Sequence, residues 1–143
     1  MSGTKAFLDT NLLLYLLSAD AAKADCAEAL VAAGGVISVQ VLNEFASVAS
    51  RKLGMSWAEI REVLETIRAV CRVEPISLET HDRGLTLSER YGFSIYDSMI
   101  LASALLAGCS VLFTEDLQHN QSIDGSLTVR DPFAASGSPE AED

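Results

Sequence analysis

The sequence predicts an α/β domain: a central parallel sheet of four to five strands, covered by helices on both faces. Three observations predict it. Short apolar runs alternate along the chain with longer stretches of helical periodicity, the pattern that builds a parallel sheet with crossover helices. Hydrophobic residues make up 49% of the 143, enough for one buried core in one domain. Two of the short runs lead into an aspartate, and ligand sites in such sheets lie beyond the carboxyl ends of the strands.

Taken in order, Thr4–Leu8 reads as the first strand and ends at Asp9. Asn11–Leu17 reads as a helix with Asp9 or Thr10 near its cap. Ala21–Ala33 carries Ala22, Cys26, Ala29, Leu30 and Ala33 at steps of three and four, one face of a helix that Gly34-Gly35 ends. Val36–Val39 is a β-branched second strand, and Ser38 stands where the next helix needs a cap. That helix presents Val41, Leu42, Phe45, Val48, Ala49 and Leu53 at helical spacing. Ser56 and Glu59 form a capping box for a helix running to Cys71, with Ile60, Val63, Leu64 and Ile67 on its apolar face.

Val73–Ile76 is a third strand, and Ser77–Tyr91 a helix with Leu78, Leu85 and Leu87 toward the inside. Tyr91-Gly92-Phe93 makes a turn. Ser94–Leu106 is the most apolar helix and stops at Gly108. Ser110–Phe113 is the fourth strand, and Leu127–Val129 a fifth, at the edge of the sheet. One domain is expected over residues 1–133, followed by a small, polar, acidic tail over 134–143 that is expected to be disordered.

Several function classes are excluded. No apolar run approaches the ~18 residues of a membrane span, and the N-terminus lacks the pattern of a secretion signal, so a cytoplasmic protein is expected. Cys26, Cys71 and Cys109 are widely spaced and only two histidines accompany them, which argues for small buried hydrophobes and against zinc. No glycine-rich phosphate loop and no Gly-x-Ser-x-Gly elbow is present. A phosphatase of the haloacid-dehalogenase type wants a second Asp at position 11 and a downstream Lys; the chain has Asn11, and no lysine after Lys52. A receiver domain fails on the same missing lysine.

Four acids stand out by position. Asp9 follows the first strand, Asp116 follows the fourth, and Glu44 and Asp97 lie in or beside apolar helical patterns. Each has a plain structural reading: Asp9 or Asp97 as helix caps, Asp116 as a turn residue with Glu115 as its rival. Glu44 is hardest to explain so, because it interrupts the stripe of Val41, Phe45 and Val48. Carboxylates gathered near a core repel one another and lose hydration, which a hard divalent cation with oxygen ligands relieves. The net charge of -10 is awkward for a nucleic-acid binder. The four candidate acids and the tail acids Glu140, Glu142 and Asp143 account for most of the excess.

Four motifs in order carry a family resemblance: Phe7-Leu8-Asp9-Thr10-Asn11, Asn43-Glu44 opening into a helix, Tyr96-Asp97-Ser98-Met99-Ile100-Leu101-Ala102, and Leu112-Phe113-Thr114-Glu115-Asp116. Over residues 5 to 133 the chain resembles the PIN domain family, most closely the VapC-like toxins of bacterial toxin–antitoxin pairs. The resemblance implies a PIN-like α/β/α sandwich and a metal-dependent endoribonuclease. It implies that Asp9, Glu44, Asp97 and Asp116 hold one or two Mg²⁺ or Mn²⁺ ions and carry catalysis, and that Thr10, Asn11 and Thr114 orient the carboxylates. The partners it implies are an RNA substrate, a cognate antitoxin protein and a second copy of the chain. Arg51 and Lys52, about two helical turns beyond Glu44, are the first choice for phosphate contacts, ahead of Arg83, Arg90 and Arg130.

His119 reads as solvated surface. Asn120 stands where relatives often carry Gly, and Asn tolerates the left-handed backbone such a loop needs. Asp131 stands where Asn is expected. The competing reading is a non-catalytic module of the same fold that binds RNA or protein. The completeness of the acid set favours the nuclease.

Overall fold

The computed structural model describes residues 5–134. Thr4 and the tail beyond Ala134 lie outside them. Six strands form one sheet: β1 (Ala6–Leu8), β2 (Val36–Ser38), β3 (Arg72–Glu74), β4 (Val111–Phe113), β5 (Ser122–Ile123) and β6 (Leu127–Arg130). Their order is β3-β2-β1-β4-β6-β5. All neighbours run parallel except β5, which pairs antiparallel with β6 through Ser122↔Thr128 and Ile123↔Leu127. The expected fifth strand is therefore interior, between β4 and β5. The sequence reading missed β5, and the sheet has one strand more than the four to five expected.

Among the described residues six helices flank the sheet: α1 (Thr10–Leu14), α2 (Ala21–Ala32), α3 (Val39–Arg51), α4 (Trp57–Val70), α5 (Leu78–Tyr91) and α6 (Ile95–Leu106). A 3-10 turn, Tyr15–Leu17, continues α1, so the single helix expected over 11–17 is two pieces. The first four helices contact one another, while α5 and α6 pack together as a pair. Between them the sheet contributes Phe7, Leu8, Ile37, Leu112 and Val129 to the core, each at most 1% exposed.

Local signals account for most boundaries. Ser38 caps α3 by accepting from Val41 N–H, and Ser94 caps α6 by accepting from Asp97 N–H. Ser56 and Glu59 make the reciprocal capping box of α4. Gly92, at φ 81°, ends α5 in the left-handed conformation glycine favours.

Two predicted faces are corrected. α5 buries Thr80, Gly84 and Leu87 and leaves Leu78 and Leu85 exposed, because its inner side lies close against α6: a Cβ on Gly84 would stand 2.9 Å from Met99 Sδ. α2 buries Ala27, with Leu30 and Val31 packed on the core, while Ala22, Ala29 and Ala33 are exposed. The third strand begins and ends earlier than expected, at Arg72–Glu74, and leaves Ile76 exposed. Among the described residues no helix is long and apolar enough to cross a membrane.

Candidate active site

From β1 the chain steps one way across the sheet to β2 and β3; β4 lies on the other side of β1 and pairs with it from Ala6↔Val111 to Leu8↔Phe113. Strand order reverses between β1 and β4, and a crevice opens beyond their carboxyl ends at such a point. Asp9 leaves β1 there, and Thr114, Glu115 and Asp116 leave β4.

Asp9 does two things at once. It caps α1, with Oδ1 accepting from Thr10 N–H at 2.7 Å, and its Oδ2 accepts from the Thr114 hydroxyl at 2.8 Å. It is 6% exposed. Burial pushes its carboxyl up to about 6; the bonds from Thr114 and Thr10 oppose this, and the charges of Asp116 and Glu44 add to it. Thr114, wholly buried, also accepts from Asp116 N–H at 3.0 Å and from Asn11 Nδ2 at 3.3 Å. Asn11 Nδ2 donates in addition to Asp116 Oδ2 at 3.0 Å. Thr10, Asn11 and Thr114 thus each bond to one or two of the candidate acids.

Glu44 projects from α3 toward the same place. Its Oε1 accepts from the Thr10 hydroxyl at 2.6 Å, and its Oε2 from Gln40 Nε2 at 3.1 Å. Gln40 also donates to the Tyr96 carbonyl at 3.2 Å, which joins α3 to the first turn of α6. Asp97 stands in that turn. Because Ser94 takes the capping role, the Asp97 carboxylate is left free of it. Burial raises its pKa, the Ser94 contact lowers it, and the charges of Asp116 and Glu44 raise it further. Asp9 and Asp97 both sense Asp116 and Glu44, so the four acids lie within electrostatic reach of one another. Among the described residues none of the four is in an ion pair.

A cleft of about 290 Å³ runs from this point between α1 and α3, lined by Thr10, Asn11, Leu14, Glu44, Ser47, Val48, Arg51 and Asp116. Arg51 is thereby on the rim, its Nε donating to Ser47 Oγ at 3.0 Å. Lys52, the C-cap of α3, is not part of the lining. Arg83 and Arg90 line a separate depression on α5, where Arg90 pairs with Asp124. Arg130 ends β6 and is exposed. His119 turns out to have a structural bond, its Nδ1 accepting from Asp131 N–H at 3.0 Å. Asn120 has φ 71°, the left-handed conformation expected of it.

Gln40 was missed by the sequence reading. Its signal was available: one helical turn before Glu44, on the same face of α3. Glu115, the rival of Asp116 in the sequence, accepts from the Tyr15 hydroxyl at 2.6 Å.

The fit of a divalent cation rests on the chemistry of the donors. Hard oxygen donors, a carboxyl held well above its ordinary range by burial and neighbouring charge, and a buried Asn11 Oδ1 without a hydrogen-bond partner suit such an ion. Among the described residues, no three Asp, Glu, His or Cys groups converge on one coordination centre. Asp9, Glu44 and Asp116 are each held by their own donors, from Thr114 and Thr10, from Thr10 and Gln40, and from Asn11.

Fold and site together define an α/β domain with an acidic crevice at the switch point of its sheet. The family model for the PIN domain matches residues 6–121, and the chain belongs to the PIN domain family. Solved structures share the fold. One is a toxin–antitoxin complex from Klebsiella pneumoniae, at TM-score 0.69 and 23% identity over 90% of this chain and 98% of that one. Another is the VapC20 toxin of Mycobacterium tuberculosis, described as cleaving the sarcin–ricin loop, at TM-score 0.63 and 23% identity over 78% and 92%. A third is VapBC2 of Rickettsia felis bound to a DNA fragment from its promoter, at TM-score 0.64 and 18% identity over 89% and 98%. No curated protein matches the chain in sequence.

Proposed function

We propose that this protein is a metal-dependent endoribonuclease, the toxin of a toxin–antitoxin pair. The observation that carries the reading is that Asp9 and Asp116, beyond β1 and β4, lie within electrostatic reach of Glu44 on α3 and Asp97 on α6, three of the four bonded to Thr10, Asn11 or Thr114. Its support from likeness is family membership and structural neighbours described as toxins or toxin–antitoxin complexes.

In this reading the four carboxylates hold one or two Mg²⁺ or Mn²⁺ ions. A divalent cation there lowers the pKa of water and offsets charge developing on the scissile phosphate. The chain's own residues do the rest. Thr114 and Thr10 keep Asp9 and Glu44 in fixed rotamers, Gln40 braces Glu44 against α6, and Asn11 steadies Asp116. Arg51, on the rim of the cleft, receives a neighbouring phosphate. An acidic body of net charge -10 suits a basic segment of an antitoxin, and a homodimer completes the reading; a monomer by light scattering at micromolar concentration counts against the dimer.

The test is cleavage of a mixed RNA panel with Mg²⁺ or Mn²⁺, with and without chelator, beside Asp97→Asn. The α6 cap uses the Asp97 backbone N–H, so the variant stays folded. Cleavage should stop with chelator and fall by about 10²–10³ in the variant, the scale of losing one preorganised charge at a reacting centre. The separation of the carboxylates favours one other reading, a non-catalytic PIN module. A wild type that neither cleaves RNA nor binds divalent cations would favour it.

A further inference from the structure

Asn11 and Tyr15 lie four positions apart on one continuous run of α1 and its 3-10 turn. Each grips one residue of the Glu115-Asp116 pair beyond β4: Asn11 holds Asp116 at 3.0 Å, and the Tyr15 hydroxyl holds Glu115 at 2.6 Å. Lys23 of α2 completes the second grip. Its ammonium stands 4.0 Å from Glu115 Oε2 and donates to the Tyr15 hydroxyl at 3.3 Å. It also lies 4.7 Å from the centre of the Tyr15 ring and 5.3 Å from that of Phe133, and these two rings meet edge to face at 5.2 Å. Adjacent carboxylates have similar affinity for a hard cation. The partner each one holds is what distinguishes them.

We propose that Tyr15 is a positioning residue for the acidic site: by holding Glu115 against Lys23, it leaves Asp116 as the carboxylate that the loop beyond β4 presents to the crevice. This rests on the metal-site reading above. Without the hydroxyl, Glu115 is released beside Asp116 and competes with it.

The test is titration calorimetry of Mn²⁺ into the full chain as wild type, Tyr15→Phe, Glu115→Gln and the double variant, with the Tm of each and kcat and KM for RNA. Tyr15→Phe should lose about tenfold in Mn²⁺ affinity, the scale of losing a residue that orients a ligand, with lower kcat and unchanged KM. Glu115→Gln should stay near wild type, since its amide oxygen accepts the same bond. Added to Tyr15→Phe, it should restore most of the affinity by removing the competitor. A lower Tm with unchanged Mn²⁺ affinity in Tyr15→Phe would mean packing alone and overturn the proposal. So would a double variant as weak as Tyr15→Phe. A wild type that binds no Mn²⁺ brings down the metal reading and this proposal with it, whereas binding equal in wild type and Tyr15→Phe brings down this proposal only.

Discussion

Asp9 accepts two hydrogen bonds at 2.7 and 2.8 Å and still titrates near 6, because those bonds only partly offset its removal from water. In the unfolded chain its pKa is near the ordinary 3.8. The folded state therefore holds this proton more tightly, and stability falls as pH rises between those two values. Above about 6 the full cost applies, about 3 kcal/mol at 1.36 kcal/mol per unit. Asp9→Asn should accordingly raise the Tm at pH 8 in metal-free buffer, by far more than at pH 4, while abolishing cleavage. Equal Tm shifts at both pH values would remove the electrostatic account. Much at this scale was legible in the chain. Ser38, Ser56 and Ser94 announce their caps by residue type and position. Asp9 does cap α1 through one oxygen, and the other accepts from Thr114, so its cap does not preclude the proposed site role. Tyr15 was not legible beside the candidate site, since its partner Glu115 is 100 positions away along the chain, whereas Gln40 could have been found from its spacing to Glu44 but not its bond to Tyr96, 56 positions away.

Elements were read well where hydrophobic spacing carried the information, as in α4 with Ile60 and Ile67 buried. They were misread where size carried it. On the inner face of α5 the sequence reading found Leu87 but not Thr80 and Gly84, which are polar or small and escape any count of apolar residues. The alanines of α2 are so frequent that they fix no phase. Two-residue β5 has no periodicity to read; its pairing with Leu127 and Thr128 makes it a strand. The close contact of α5 with α6 bears on the proposed site because α6 carries Asp97. Gly84→Ala should be nearly neutral, as Met99 Sδ can move aside and alanine favours helix by up to about 1 kcal/mol. Gly84→Val should cost about 2 kcal/mol by overpacking, and should lower activity more than the loss of folded protein explains. Thermal melts paired with RNA cleavage would measure both; an inert Gly84→Val would mean the helix pair yields without moving Asp97.

For the molecule as a whole, the alternation of strands and helices was enough to predict the layered architecture, and the carboxyl ends of β1 and β4 to predict the crevice. The arrangement of the acids was not predictable from order in the chain, because it depends on which donor each carboxylate finds. The proposed cation has a test at the scale of the whole fold. A divalent ion at a hundredfold excess over its dissociation constant should stabilise the chain by about 2.7 kcal/mol. That gain should be present at pH 8 and much smaller at pH 5, where Asp9 is protonated, and monovalent salt of equal ionic strength should not reproduce it. A melt indifferent to Mg²⁺ and Mn²⁺ at pH 8 would count against any resident ion. The two margins of the sheet carry a consequence of another kind. β3 is three residues long, with Arg72 and Glu74 ion-paired at 2.6 Å, and β5 is two residues long. Neither offers a long, flat row of free backbone groups onto which a foreign strand could zip. Short margins of this kind guard the sheet against amyloid-like stacking, so strand addition at an edge is a poor route for this protein to assemble.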